Sequence, residues 1–216
     1  MLIACWSVKG GSGTTVVSVA LASLLARSST GGVLLADLGG DCATVLGLPD
    51  RPGPGLCDWL AAGADVAADA LTRLEVDVRP GLRLLPWGGP PAGPGSGGER
   101  LAAALGAGNR LVVADCGPAG GAAGMALAAM AGLSLLVLRP CSLALRRAIA
   151  APVRPSGVVL IREPQRALCR RDVEDVLGVP VRAEIPYDPA VAQAVDAGLL
   201  NCKVPRALER GLRAAA

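Results

Sequence analysis

The densest chemistry in the chain is the run Val8-Lys9-Gly10-Gly11-Ser12-Gly13-Thr14-Thr15. It stands between an apolar strand candidate and an Ala/Val/Leu-rich helix candidate. A bound phosphate needs backbone N–H groups within hydrogen-bonding distance and no Cβ in the way. Glycines at 10, 11 and 13 permit that approach, and the following helix points its positive dipole end at the anion. Thr15, at the helix start, either caps its own helix or presents a hydroxyl to Mg²⁺. A plain structural turn also uses glycine, but strand, glycine loop and helix in this order are the context a phosphate loop requires. Cys116 reads as a packed thiol at a strand end. The chain has no histidine to activate it, and imidazole catalysis and His-ligated metals are excluded on the same ground.

A loop of this kind works only if strands and helices hold it still. Short Val/Leu-rich runs predict strands at Leu2–Val8, Val33–Asp37, Leu82–Pro86, Arg110–Asp115, Leu133–Leu138, Gly157–Ile161 and Val181–Ile185. Several are apolar on both faces, as parallel strands covered on each side must be. Helices are predicted at Thr15–Arg27, Gly55–Ala62, Val66–Leu74, Glu99–Leu105, Gly121–Ala131, Leu143–Ala150, Arg171–Leu177, Pro189–Ala197 and Pro205–Ala215. The alternation predicts an α/β fold, a doubly wound, mostly parallel sheet with helices on both faces. The Gly/Pro-rich stretch 87–98 reads as a surface loop within one domain spanning 1–216.

Composition agrees with a packed domain. Of 216 residues, 52% are hydrophobic and 18% charged, which excludes a disordered chain. Aromatics are only 2%, so an aromatic base-stacking platform is excluded. The formal net charge of +3 is too small to name an acidic partner. Seven scattered cysteines without a CxxC pair read as reduced, mostly buried thiols of a cytoplasmic protein. The opening run MLIACWSV reads as a strand, and no apolar run reaches the roughly 18 residues of a membrane span.

Lys9-Gly10-Gly11-Ser12-Gly13-Thr14-Thr15 resembles the deviant Walker A motif, KGGxGK[ST], of the ParA/MinD superfamily. Val33-Leu34-Leu35-Ala36-Asp37 is similar to the second strand, which ends in the family's switch carboxylate. Leu111-Val112-Val113-Ala114-Asp115-Cys116-Gly117 resembles the Walker B strand. Ile185-Pro186-Tyr187-Asp188-Pro189-Ala190-Val191 resembles the C-terminal segment near the nucleotide base. The resemblance implies an ATP- or ADP-binding homodimer in which Lys9 reaches the partner's phosphates. It also implies that Thr15 and Asp115 organise Mg²⁺, with Pro186 near the base. Apart from the resemblance, Arg162 reads either as part of a solvated face or as a guanidinium stacked on adenine. Asp115 reads otherwise as a solvated strand end, and Asp37 either as a helix cap or as a catalytic carboxylate.

Two positions depart from the pattern. Thr14 replaces the lysine that contacts the β/γ-phosphates, a loss of about 1.5–3 kcal/mol for a charge-assisted contact. Gly39 replaces the second switch carboxylate, which orients the attacking water. Asp41 takes that place only if the Gly39-Gly40 turn swings it inward. Hydrolysis is therefore expected to be weak or absent while the scaffold is intact. These departures, with Leu138-Arg139-Pro140-Cys141-Ser142, resemble the CpaE/TadZ branch, which implies a protein partner in a pilus or secretion localisation system. The alternative is an active partition or division-site ATPase cycling on DNA or membrane.

The remaining charged segments read as solvated faces. Arg162, Arg166, Arg170 and Arg171 have Asp172, Glu174 and Asp175 as neighbours in sequence, with weak non-specific DNA contact the alternative. The tail Cys202–Ala216 has a thin apolar stripe lacking Phe, Trp or Ile. It predicts a helix docked on the body, not a membrane anchor, so that any recruitment to membrane or cell pole falls to a partner.

Overall fold

A computed structural model describes residues 1–49, 53–63, 66–67, 69–89, 97–119, 121–213 and 215. In chain order the strands are β1 (Leu2–Ser7), β2 (Val33–Asp37), β3 (Val76–Arg79), β4 (Leu82–Leu85), β5 (Leu111–Pro118), β6 (Leu133–Leu138), β7 (Gly157–Arg162) and β8 (Val181–Pro186). They form one sheet in the order β3-β4-β2-β5-β1-β6-β7-β8. Every neighbouring pair is parallel except β3 with β4.

β1 shows why the sheet is two-sided. All of Leu-Ile-Ala-Cys-Trp-Ser is buried, and its residues alternate between two cores. Leu2, Ala4 and Trp6 join one apolar cluster; Ile3 and Cys5 join the other. Trp6 is fully buried without an orphaned donor, because its Nε1 donates to Ser134 Oγ at 3.0 Å.

Among the described residues eight helices connect the strands, α1 (Thr14–Ser28), α2 (Cys42–Val45), α3 (Leu56–Ala61), α4 (Ala70–Leu74), α5 (Gly98–Gly106), α6 (Ala122–Met130), α7 (Ser142–Ile149) and α8 (Arg170–Leu177), and two follow the last strand, α9 (Pro189–Asp196) and α10 (Arg206–Leu212). The β-branched Thr-Thr-Val-Val opening of α1 is a modest helix former. Burial of Val17, Val19, Ala20 and Leu21 supplies what propensity does not. α10 docks as the tail pattern predicts, with Ala207, Leu208 and Leu212 buried and Arg206, Arg210 and Arg213 exposed. Gly211 lets it lie close, since a Cβ there would stand 2.7 Å from Ile185 Cγ1 and 2.9 Å from the Glu184 carbonyl.

The structure corrects several elements. The helix predicted over Val66–Leu74 is only Ala70–Leu74, and the last helix ends at Leu212 rather than Ala215. The edge strand β3 was not expected. Its alternating Val-Asp-Val-Arg pairs antiparallel with β4 across Pro80-Gly81, with Gly81 at φ 81°. Residues 90–96 of the expected 87–98 loop lie outside the described residues.

Candidate functional site

The glycine loop leaves the carboxyl end of β1, the strand between β5 and β6. Open α/β sheets bind ligands at this end. Gly11 (φ 72°) and Gly13 (φ 89°) adopt left-handed backbone that side chains resist, and a Cβ on Gly10, Gly11 or Gly13 would meet nothing within 4 Å. The glycines therefore serve conformation and an open approach, with no packing demand. Two hydroxyls brace the loop: Ser7 Oγ and Ser12 Oγ each donate to the Lys9 carbonyl at 3.0 Å. Gly13 is the N-cap of α1 and no side chain caps that helix. Its first turn faces a cavity of about 410 Å³ lined by residues 10–16, Ser7, Gly39, Asp41, Thr44, Val45, Gly117 and Pro118.

Of the residues singled out from sequence, Gly10, Gly11, Ser12, Gly13, Thr14, Thr15 and Asp41 line this one cavity. The Gly39-Gly40 turn, with Gly40 at φ 88°, carries Asp41 to it. Lys9 is half-buried and is not among the lining residues.

Behind the cavity lie Asp37, at the end of β2, and its register partner Asp115, within β5. Asp37 receives three backbone N–H groups: Gly39 at 3.1 Å and Gly40 at 2.6 Å on Oδ1, and Cys42 at 2.9 Å on Oδ2. It therefore shapes the loop that leads into α2. Burial and the charge of Asp115 push its pKa up from 3.8 to about 6. Burial also raises Asp115, with hydrogen bonds from Thr15 and the Gly117 N–H opposing it. Thr15 and Asp115 thus adjoin, as a shared cation would require.

Cys42 is the residue that sequence reasoning missed here. Its Sγ lies 3.6 Å from Asp115 Oδ2, and one ligand atom each of Asp37, Cys42 and Asp115 lie within 4.8 Å of one another. Burial holds this thiol, like Cys116, well above the ordinary thiol range, and Cys5 is pushed up to about 12. None is a thiolate at neutral pH.

A second cavity, about 240 Å³, adjoins the first at Ser12, Gly13 and Val16. Its walls are mainly apolar, from Val17, Ile161, Ile185, Pro186, Val191 and Leu208, with Arg139, Tyr187, Asp188 and Asp196 as polar members. Pro186 is in the wall of this cavity. Arg162 stands elsewhere: its side chain is ion-paired with Glu184 at 3.4 Å and lines a different cavity, with Arg166 and Arg170. Arg139 and Tyr187 belong to two segments that carry the resemblance, and their meeting in one wall comes from the fold, because this wall is assembled from segments far apart in sequence.

The outer arginines pair as a solvated face would: Arg166 with Glu163, Arg170 with Glu174 and Arg171 with Asp175. Asp172 instead accepts the Cys169 N–H at the start of α8. Among the described residues no helix is long and apolar enough to cross a membrane.

The chain resembles several solved structures. The cell division ATPase MinD of Pyrococcus furiosus superposes with a TM-score of 0.77 at 23% identity, covering 99% of this chain and 96% of that one. A ParA family ATPase from Chlorobium tepidum TLS gives 0.77 at 20% identity, covering 98% and 96%. The septum site-determining protein MinD of Pyrococcus horikoshii OT3, complexed with Mg-ADP, gives 0.73 at 23% identity, covering 92% and 86%. At such identities the likeness shows the fold. No curated protein matches the chain. Residues 3–201, nearly the whole chain, match the CobQ/CobB/MinD/ParA nucleotide binding domain, and the chain belongs to that family.

Proposed function

We propose that this protein is a nucleotide-responsive positioning protein that acts by dimerising and recruiting a partner. The reading rests above all on the uncapped first turn of α1, which faces an open cradle formed by Gly10, Gly11 and Gly13. The cradle suits the phosphates of ATP or ADP, and the apolar cavity beyond Ser12 and Gly13 suits the nucleoside, with Pro186 in its wall. Thr15 and Asp115 would hold Mg²⁺, which when bound supplies positive charge against the phosphates. Asp37 would keep the 38–42 loop in place beneath it. Lys9, outside the cavity of its own subunit, would reach a second subunit's phosphates. One domain spanning 1–216 would then work in the cytoplasm as a homodimer. The neutral Thr14 and Gly39 support an output of binding rather than rapid turnover. That favours the CpaE/TadZ branch and a protein partner in pilus or secretion localisation.

Isothermal titration with ADP and ATP, with and without Mg²⁺, tests the reading. Saturable binding strengthened by Mg²⁺, and no longer strengthened by it in Asp115→Asn, is expected. No binding at millimolar nucleotide would overturn it.

One observation favours a second reading, an active ATPase cycling on DNA or membrane. Asp41 lines the phosphate cavity, where a carboxylate can orient water. Mg²⁺-dependent hydrolysis lost on Asp41→Ala would select this reading over the first.

A further inference from the structure

The two cavities that meet at Ser12, Gly13 and Val16 differ in chemistry: one is glycine-lined and polar, the other mainly apolar. Arg139 is the one lysine or arginine among the residues lining either. It follows β6 directly and stands on the apolar side of the junction. Its Nη1 donates to Glu163 Oε1 at 3.1 Å, while its buried Nε has no hydrogen-bond partner. Glu163 is not dependent on it, because Arg166 holds the other carboxylate oxygen at 2.8 Å. The guanidinium thus has an unused donor edge, and its carboxylate partner has a second cation.

We propose that Arg139 is the anion-binding side chain of this site, receiving the ribose-bearing phosphate of the nucleotide, and that Glu163 competes with that phosphate for the guanidinium. The proposal rests on the nucleotide reading above. A nucleotide with its nucleoside in the apolar cavity and its outer phosphates on the glycine loop crosses between them at Ser12 and Gly13. The group at the crossing is the phosphate bonded to ribose. A planar guanidinium fork suits that phosphate, and Arg166 leaves Glu163 paired when Arg139 turns to it. Arg139 would thus supply the positive charge that the neutral Thr14 does not.

ADP titration of the full chain and its variants tests this. Arg139→Gln is expected to weaken ADP roughly ten- to hundredfold, the loss of one charge-assisted contact. Arg139→Lys should recover part of it, keeping the charge without the fork. Glu163→Gln should tighten ADP several-fold, and should do nothing in the Arg139→Gln background. A pair that merely ties β6 to the segment after β7 predicts otherwise: both single changes would weaken binding together. Unchanged affinity in Arg139→Gln, or weakening in Glu163→Gln, would overturn the proposal. If wild type binds ADP and Arg139→Gln binds equally, this proposal alone fails; if wild type binds none, the nucleotide reading fails and takes this with it. Should Arg139→Gln not fold by circular dichroism, the sign of the Glu163→Gln effect decides.

Discussion

Asp37 and Asp115 are neighbours across β2 and β5, in register, and both carboxylates are buried at the carboxyl end of the sheet. Burial raises the cost of ionising both, and the charge of Asp115 raises it further for Asp37. Asp37 is offset by three backbone N–H groups, and Asp115 by Gly117 and Thr15. Two carboxylates held this close destabilise the fold at neutral pH and are what a divalent cation relieves. The same pair therefore links stability to pH.

Stability of the nucleotide-free protein should depend on pH through this pair. The folded state holds the Asp37 proton to about pH 6 while the unfolded chain releases it near 3.8. The folded state thus binds more protons in that window, and stability falls as pH rises through it, by up to about 3 kcal/mol. Asp115→Asn removes the charge that helps raise Asp37. Urea unfolding should show the variant gaining on wild type between pH 5 and pH 8. An equal difference at both pH values would refute the coupling.

The sheet was largely legible because central parallel strands must be apolar on both faces, and runs such as Leu2–Ser7 and Leu133–Leu138 are. The glycine loop was legible because the left-handed backbone of Gly11 and Gly13, which lets the chain turn from β1 into α1, selects glycine. The edge strand β3 was not, since Val-Asp-Val-Arg faces solvent in part and its identity comes from pairing with β4. The short α2 was hidden for a related reason: four residues carry no periodicity, and its entry depends on Asp37 fixing the preceding turn. Arg139 and Cys42 meet partners distant in sequence, Glu163 and Asp115, and those pairings are not legible from either local segment. Arg162, at the end of β7, pairs with Glu184 of β8, and a motif within one strand does not say which way a long side chain turns.

Introducing a carboxylate at position 39 should cost stability. A Cβ on Gly39 would stand 3.1 Å from Asp115 Oδ2, so Asp115 must give way, and the added charge faces two buried carboxylates. Gly39→Asp should destabilise by roughly 1–3 kcal/mol at pH 8 and by less at pH 5. Gly39→Ala, which adds only the contact, should cost less and show no pH dependence. Denaturant midpoints of the two variants at both pH values separate crowding from charge.

Thr14 lines the glycine-loop cavity at the first turn of α1, so under the nucleotide reading a longer cationic side chain there is positioned to meet a phosphate. Thr14→Lys should tighten ATP by about ten- to hundredfold, the yield of one charge-assisted contact. Calorimetric titration reads it directly. Unchanged affinity would mean that the loop does not direct this side chain to the ligand.

The α2 segment is pinned to the end of α9 by two glycines. Gly47 (φ 69°) and Gly198 (φ 63°) touch through backbone: a Cβ on Gly47 would stand 2.3 Å from the Gly198 carbonyl oxygen. No side-chain rotation relieves that contact. Gly47→Ala should therefore destabilise by roughly 2–3 kcal/mol, combining left-handed strain with a backbone clash. The clash also separates Thr44, in the phosphate cavity, from α9, whose Val191 and Val195 line the apolar one. Weakened ADP binding should accompany the lost stability. A thermal melt and a titration on one preparation test both.

Lys9 lends itself to a clean separation of folding from assembly. The loop is braced through its carbonyl, which accepts from Ser7 and Ser12, so truncating the side chain leaves that scaffold in place. The side chain is half-buried and its own subunit's cavity is lined without it. Under the dimer reading its ammonium meets phosphates of the second subunit, an interaction that exists only when nucleotide is bound. Lys9→Ala should therefore leave the unfolding midpoint within about 0.5 kcal/mol of wild type, as expected of a side chain with no buried partner. It should also leave the monomer's ADP affinity intact and weaken ATP-linked association. Sedimentation velocity with and without ATP measures the effect. Identical association of wild type and variant under both conditions would remove Lys9 from the interface and with it the argument for a dimer across the glycine loop.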